Sequence, residues 1–199
     1  MSAPLPSSDV ILISADTLRA DHLGAYGYVR NTSPNIDRLA QRSLVFDDVL
    51  CEVPLTGPSM ASMFTSRFPR DTGVTRNGIA LDENIPTIAE SFREAGYTTI
   101  AVVSNWTLKA HLSKLDRGFE VYDDHFEKKR WGLIKGERDG AEVTRIALDL
   151  LEPRDKSKPL FAWIHYSDPH APYDLRREFD VSKDVVHEER RVERVTRRY

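Results

Sequence analysis

Three stretches of this chain combine residue types that can ligate a cation, hold an oxyanion or move a proton. The first is Asp16, which follows the apolar run Val10-Ile11-Leu12-Ile13-Ser14. A carboxylate at the end of a buried strand can ligate a hard or borderline cation, and it serves equally well as a helix cap or loop acid. The second is Thr56-Gly57-Pro58-Ser59. A hydroxyl just ahead of a helix start faces free backbone N–H groups and the positive end of the helix dipole, a setting that suits an oxyanion. Attack by such a hydroxyl needs a nearby divalent metal to depress its pKa; the alternative is a plain N-cap that closes the turn. The third is His165-Tyr166-Ser167-Asp168-Pro169-His170-Ala171-Pro172-Tyr173. Two histidines beside an aspartate after a buried strand favour a site over a structural role, with His170 placed to give a proton or hydrogen bond to a substrate oxygen. Asn77-Gly78 by itself reads as a tight turn, Cys51 as a small buried hydrophobe, and Trp106, Trp131 and Trp163 as core.

The elements that must position these residues alternate in type. Val10–Ser14, Tyr97–Ser104 and Pro159–Tyr166 are continuous apolar or β-branched runs, as expected of parallel strands buried on both faces. Ser43–Leu50 alternates loosely and reads as a further strand. Helices start at Ser33-Pro34, at Pro58, at Pro86 and at Asp139, where Glu142 completes a capping-box pattern. Ile85, Ile88, Ala89, Phe92 and Ala95 form one apolar stripe closed by Gly96, and Val143, Ile146, Ala147 and Leu150 form another that ends before Pro153. Strands alternating with helices imply βαβ units and a mainly parallel α/β sheet, whose ligands sit at the strands' C-terminal ends.

Composition narrows the function classes. The chain has 199 residues, 28 Lys+Arg against 31 Asp+Glu, and 40% hydrophobic residues. These values describe a soluble globular domain with enough length for a real core. A net charge of -3 lacks the basic excess of a nucleic-acid binder. The charged run His187–Tyr199 interleaves glutamates with its arginines and reads as a solvated face. No stretch approaches the ~20 apolar residues of a membrane helix. The single cysteine, Cys51, excludes an internal disulfide and a cysteine-rich zinc site. Residues 1–8 are rich in Pro and Ser, read as a flexible segment, and lack the pattern of a signal peptide, so the cytoplasm is the default compartment.

Taken together, the blocks resemble a known family. DVILISADTLRADHLGAYGYVRNTSPNIDRLA (Asp9–Ala40) is similar to the opening of the sulfatase family, within the alkaline phosphatase superfamily. The similarity continues through LTGPSMASMFTSRFPRDTGV, AGYTTIAVVSNWTL, LDRGFE and PLFAWIHYSDPHAPYD, in the family's order. The resemblance implies a three-layer α/β fold and a divalent metal (calcium, manganese, magnesium or zinc). It makes Asp16 the first metal-ligand carboxylate and Thr56 both nucleophile and metal ligand. His170 becomes the histidine that contacts the substrate ester, and Asn77 the asparagine that binds a substrate oxygen in phosphodiesterase-like and phosphonate-hydrolase-like members.

The departures from the family pattern share a direction. Sulfatases convert the Cys or Ser of a C/S-x-P-x-R motif to formylglycine. Here Thr56-Gly57-Pro58-Ser59-Met60 offers neither that residue nor the arginine, and Cys51-Glu52-Val53-Pro54-Leu55 does not replace it, so no formylglycine is expected. Thr17 stands where a second acid is common, and Asn105-Trp106-Thr107 where the family has Lys-Trp-His. Asn105, Thr107 and Asn77 then become neutral hydrogen-bond donors to an oxyanion. A threonine ester must be resolved by water or an acceptor; threonine nucleophiles in the superfamily go with phosphodiesterases and phosphoryl-group transferases, so the resemblance implies phosphate or phosphonate esters of a small molecule, glycan or lipid. The alternatives are a formylglycine-independent sulfuric ester hydrolase and a truncated, non-catalytic domain. Because the family pattern stops at Tyr199, residues 9–199 are expected to be the N-terminal part of a longer catalytic domain, with half a metal site.

Overall fold

A computed structural model of the chain describes residues 8–126, 128–130, 133–135 and 137–171, with the side chains of 127–136 outside that description. The expectations placed on residues 1–7, on Trp131, on Pro172 and Tyr173 and on the charged run His187–Tyr199 lie outside the described residues. In chain order the elements are β1 (Val10–Ala15), α1 (Pro34–Ala40), α2 (Thr56–Thr65), α3 (Pro69–Thr72), α4 (Ile88–Glu94), β2 (Thr98–Val102), α5 (Ala110–Ser113), β3 (Val121–Asp123), β4 (Lys128–Arg130), β5 (Leu133–Lys135), α6 (Gly140–Leu151) and β6 (Leu160–Tyr166). They fall into two compact units, residues 8–17 with Leu50–Ala171, and Leu18–Val49.

The first unit is built on a four-stranded parallel sheet in the order β1-β6-β2-β3. Ser14 lies opposite His165 and Ala15 opposite Tyr166, so β1 and β6 finish together. Parallel strands put all their C-terminal ends on one edge, where Asp16, Asn105 and the residues after Tyr166 emerge. Side chains on β6 alternate between two faces. Phe161 and Trp163 enter a core with Phe64 of α2, Ala89 of α4, Leu108, Leu115 and Phe119. On the other face Ile164 and Val102 pack against Val143 and Ala147 of α6. Helices therefore cover both faces of the sheet, the three-layer α/β architecture expected.

Aromatic rings fill the first face. Phe92 stacks on Phe161 at 4.3 Å between centroids and Phe64 meets Trp163 at 4.5 Å. Such pairs add about 0.5–1.5 kcal/mol each beyond the area they bury.

The helix ends follow local chemistry, with shifts of a residue or two from the sequence reading. Thr87 is the N-cap of α4 and forms a true capping box with Glu90, so the helix starts after Pro86 rather than at it. Gly96, at φ 85°, turns the chain out behind it. Asp139 caps α6 by accepting from Ala141 N–H at 2.9 Å. Helix α2 starts at Thr56, two residues before Pro58, with Leu55 as the N-cap.

Four expectations are corrected. Among the described residues strand β1 is an edge strand rather than one buried on both faces, and Ile11 and Ile13 are 52% and 63% exposed. Ser43–Leu50 forms no strand, since alternation without a partner backbone has no ladder to join. Cys51 is exposed. Trp106 is 46% exposed, held in the 3-10 turn Trp106–Leu108, whereas Trp163 is fully buried as expected.

The second unit, Leu18–Val49, is held by its own polar contacts. Ser33 precedes α1, with Pro34 at its first position. The Ser33 hydroxyl donates to Asp37 at 2.9 Å and accepts from Gly24 N–H at 3.0 Å, while Asp37 also accepts from Ala25 N–H at 2.8 Å.

Candidate active site

Asp16 stands one residue past the end of β1. Its backbone N–H donates to Tyr166 C=O at 2.8 Å, so the ladder with β6 runs one residue beyond the strand and fixes the carboxylate's origin. Thr17 follows in the left-handed region at φ 58°. A β-branched residue there costs on the order of 1–3 kcal/mol, strain that the surrounding structure must offset.

Donors converge on one oxygen of that carboxylate. The Thr56 hydroxyl donates to Asp16 Oδ2 at 3.0 Å, and the Asn105 amide donates to the same oxygen at 2.9 Å. His165 Nε2 lies 3.8 Å from it. Burial pushes the Asp16 carboxyl up, but the His165 imidazole, the Thr56 hydroxyl and the more distant His170 outweigh it and hold the group below its ordinary value. An acid held low is a poor proton acceptor and a good fixed charge.

The first turn of α2 places Thr56. Sequence reasoning expected several free backbone N–H groups here, but Gly57 N–H donates to Asn77 Oδ1 at 2.8 Å, Pro58 has none, and Ser59 N–H is already bonded to Leu55 C=O at 3.0 Å. Asn77 is thus brought to the first turn of α2 beside Thr56, with its carbonyl oxygen engaged by the backbone and its amide still a donor. A Cβ added to Gly57 would lie 3.1 Å from Asn77 Oδ1, so glycine permits this close approach.

Asn105 and Thr107 are partly consumed by each other. Asn105 Oδ1 accepts from both the Thr107 N–H at 2.9 Å and the Thr107 hydroxyl at 2.8 Å. Asn105 therefore acts as an N-cap that turns its amide toward Asp16. It is found at the site as expected, but with a protein carboxylate as its partner.

The loop after β6 supplies His170. Its Nδ1 lies 2.8 Å from Glu137 Oε1 and 2.8 Å from Ala171 C=O, which orients the ring and leaves Nε2 as the nitrogen to face a substrate. Glu137 is itself tied to the site by an isolated antiparallel bridge with Asn105. Asp168 lies against the start of α6, where a Cβ on Gly140 would meet its carboxylate; a carboxylate is favoured at a helix N-terminus. Sequence reasoning missed Glu137, Ser14 and the role of His165. Glu137 carries no local signal, since it arrives on the segment after the β4–β5 hairpin.

Asp16 and Thr56 fit one side of a cation's coordination shell. Two oxygens at right angles around an ion with bonds of about 2.1 Å stand about 3.0 Å apart, and these two oxygens are 3.0 Å apart. Among the described residues no group of three or more His, Cys, Asp or Glu stands where it could hold a metal ion.

Comparison with known proteins places this geometry in a family. The family model described as Sulfatase matches residues 8–199. The N-acetylglucosamine-6-O-sulfatase of Bacteroides thetaiotaomicron is 28% identical over 81% of this chain and 30% of its own length. Human arylsulfatase A is 36% identical over 50% of this chain and 21% of its own. The chain therefore spans a third or less of these two curated relatives. Among solved structures, one in complex with its substrate D-glucosamine-2-N,6-O-disulfate superposes with a TM-score of 0.76 at 24% identity, covering 92% of this chain and 39% of that one. The phosphonate monoester hydrolase of Agrobacterium radiobacter superposes with a TM-score of 0.71 at 22% identity, covering 90% and 45%. These likenesses establish the alkaline-phosphatase-like fold, and the family match establishes the kinship: this chain belongs to the sulfatase family.

Proposed function

We propose that the chain carries the nucleophile side of a metal-dependent site that cleaves or transfers phosphate or phosphonate esters through Thr56. The observation that carries this reading is the Thr56 hydroxyl, set in the first turn of α2 and donating to Asp16 Oδ2 at 3.0 Å. Members of the family generally use a divalent metal, and Asp16 and Thr56 are the residues that would hold it here. When bound, a divalent cation lowers the pKa of the threonine hydroxyl and offsets charge on the substrate. The Thr56 hydroxyl gives up its proton to solvent, Oγ1 attacks the phosphorus in line, the bond to the leaving alkoxide breaks, and a phospho-threonine forms. His170 gives the leaving oxygen its proton, with Glu137 orienting the ring. Water or an acceptor hydroxyl, losing its proton to the now neutral His170, then attacks the phosphorus, and Thr56 Oγ1 leaves and regains a proton from solvent. The Asn77 amide, whose oxygen is engaged by Gly57 N–H, is the donor left for the oxyanion. A sugar ester is the favoured substrate class, because relatives of this chain include a solved protein bound to a sulfated glucosamine.

Replacing Thr56 with Ala is expected to lower turnover of an aryl phosphodiester or phosphonate ester by about a thousandfold or more. Unchanged turnover in that variant, assayed with manganese present, rejects the nucleophile assignment.

A second reading is favoured by the sulfatase names of the curated relatives: sulfate-ester hydrolysis without formylglycine. Parallel assays of aryl sulfate and aryl phosphate esters separate the two, and a faster sulfate reaction that still requires Thr56 selects the second.

A further inference from the structure

His165 is fully buried, and its two ring nitrogens are in unequal surroundings. Nδ1 lies 2.7 Å from Ser14 Oγ, and that oxygen also accepts the Trp163 indole N–H at 2.9 Å. Among the described residues Nε2 has no hydrogen-bond partner, and it lies 3.8 Å from Asp16 Oδ2. Counting hydrogens decides which nitrogen carries the proton. An indole N–H can only donate, so it occupies one lone pair of Ser14. If His165 also donated from Nδ1, the Ser14 hydroxyl would receive two hydrogens while its own had no acceptor, and Nε2 would turn a lone pair toward a carboxylate. A doubly protonated ring strands the Ser14 hydrogen in the same way. With Ser14 donating to Nδ1, every hydrogen of the three groups is used and the ring's proton sits on Nε2, facing Asp16. The sheet register enforces this, since Ser14 is directly opposite His165.

We propose that His165 is a positioning residue: Ser14 holds it as the Nε2–H tautomer, and that N–H joins the Thr56 hydroxyl and the Asn105 amide in aiming Asp16 Oδ2. At 3.8 Å the Nε2–H acts on the carboxylate as an oriented dipole rather than as a hydrogen bond. A protonated Nε2 has no lone pair for a cation, so His165 supports the carboxylate and is not a ligand. The functional consequence rests on Asp16 belonging to the proposed site; the tautomer does not.

The test begins with the 199-residue chain labelled with ¹⁵N-histidine, the His165 signals being identified by their loss in His165→Gln. The expected spectrum has a protonated-type shift at Nε2 and an unprotonated-type shift at Nδ1. Ser14→Ala is expected to convert that pattern into a mixture of tautomers. An unprotonated-type Nε2 in the wild type, or an unchanged pattern in Ser14→Ala, overturns the lock. The positioning role is read from manganese affinity. Glutamine keeps an N–H donor near the Nε2 position, so His165→Gln should bind within about threefold of wild type, while His165→Leu, with its fold checked by circular dichroism, should bind about tenfold more weakly. Ser14→Ala is the milder second variant and should fall between them. Equal affinity across all four proteins overturns the role. Unchanged turnover in Thr56→Ala, by contrast, would reject the nucleophile and leave the His165 spectrum as it is.

Discussion

Strands β1 and β6 run side by side, finish level with each other and both feed the site, yet they are held in opposite ways. β6 is central, and Leu160 to His165 are all buried. β1 is an edge, with Ile13 63% exposed. Its position depends on the ladder to β6 and on clamps at its two ends. At the start, Asp9 accepts from Leu160 N–H at 2.9 Å and pairs with Arg154 at 2.5 Å. At the finish, Asp16 N–H reaches Tyr166 C=O. Asp16, the carboxylate partner of Thr56, thus hangs on a strand that borrows its rigidity from its neighbour. Among the described residues β1 packs on one face only, through Leu12 on the core that β6 helps to build, and its outer face is uncovered.

The sharpest way to break this asymmetry is to hollow out β6. Trp163→Ala removes a fully buried indole that packs on Phe64 and donates to Ser14. The cavity and the lost contacts should cost about 3–5 kcal/mol, measured from urea denaturation midpoints at constant slope. A loss near zero would show that β6 does not carry the sheet. Because Ser14 then loses a partner, the same variant should also disturb the His165 tautomer.

A smaller effect is expected in the loop that β6 feeds. Glu137→Gln keeps the shape of the residue that orients His170 at 2.8 Å but removes its charge. If the ring must be held for proton donation, kcat should fall by about tenfold with KM little changed, as for a lost transition-state interaction. An equal change in KM with kcat intact would instead make His170 a substrate-binding group.

These two strands also mark how far the sequence could be read. Both are apolar runs of similar length, and both were correctly legible as parallel strands, because composition reports burial and β propensity locally. Which one is central and which is the edge depends on pairing with segments some 150 residues away, and nothing in Val10–Ser14 encodes that. The same limit explains the site. Asp16 and Thr56 were legible because each sits in a family block, and Asn77 from its Asn-Gly turn and its spacing from Thr56; the structure puts Thr56 against Asp16 and Asn77 against Gly57. Asn105 was visible as a site residue, but its partner Asp16 was not. Glu137 and the Ser14–His165 pair were invisible, since one arrives after a hairpin without a motif and the other exists only through strand register.

The mildest test addresses β1 itself. Ile13→Thr exchanges a large apolar side chain for a smaller, polar one of the same β-branched shape, so strand propensity is retained. Its side chain is mostly in solvent, and little transfer free energy is at stake. The urea midpoint of the 199-residue chain should therefore move by no more than about 0.5 kcal/mol equivalent. The turnover dependent on Thr56 should be unchanged, because Asp16 is fixed by the backbone bond to Tyr166 rather than by the side chain of Ile13. A loss of about 2 kcal/mol or more would mean that this face is covered in solution. Asp16 would then be supported from both sides, and the contrast between the two strands would collapse.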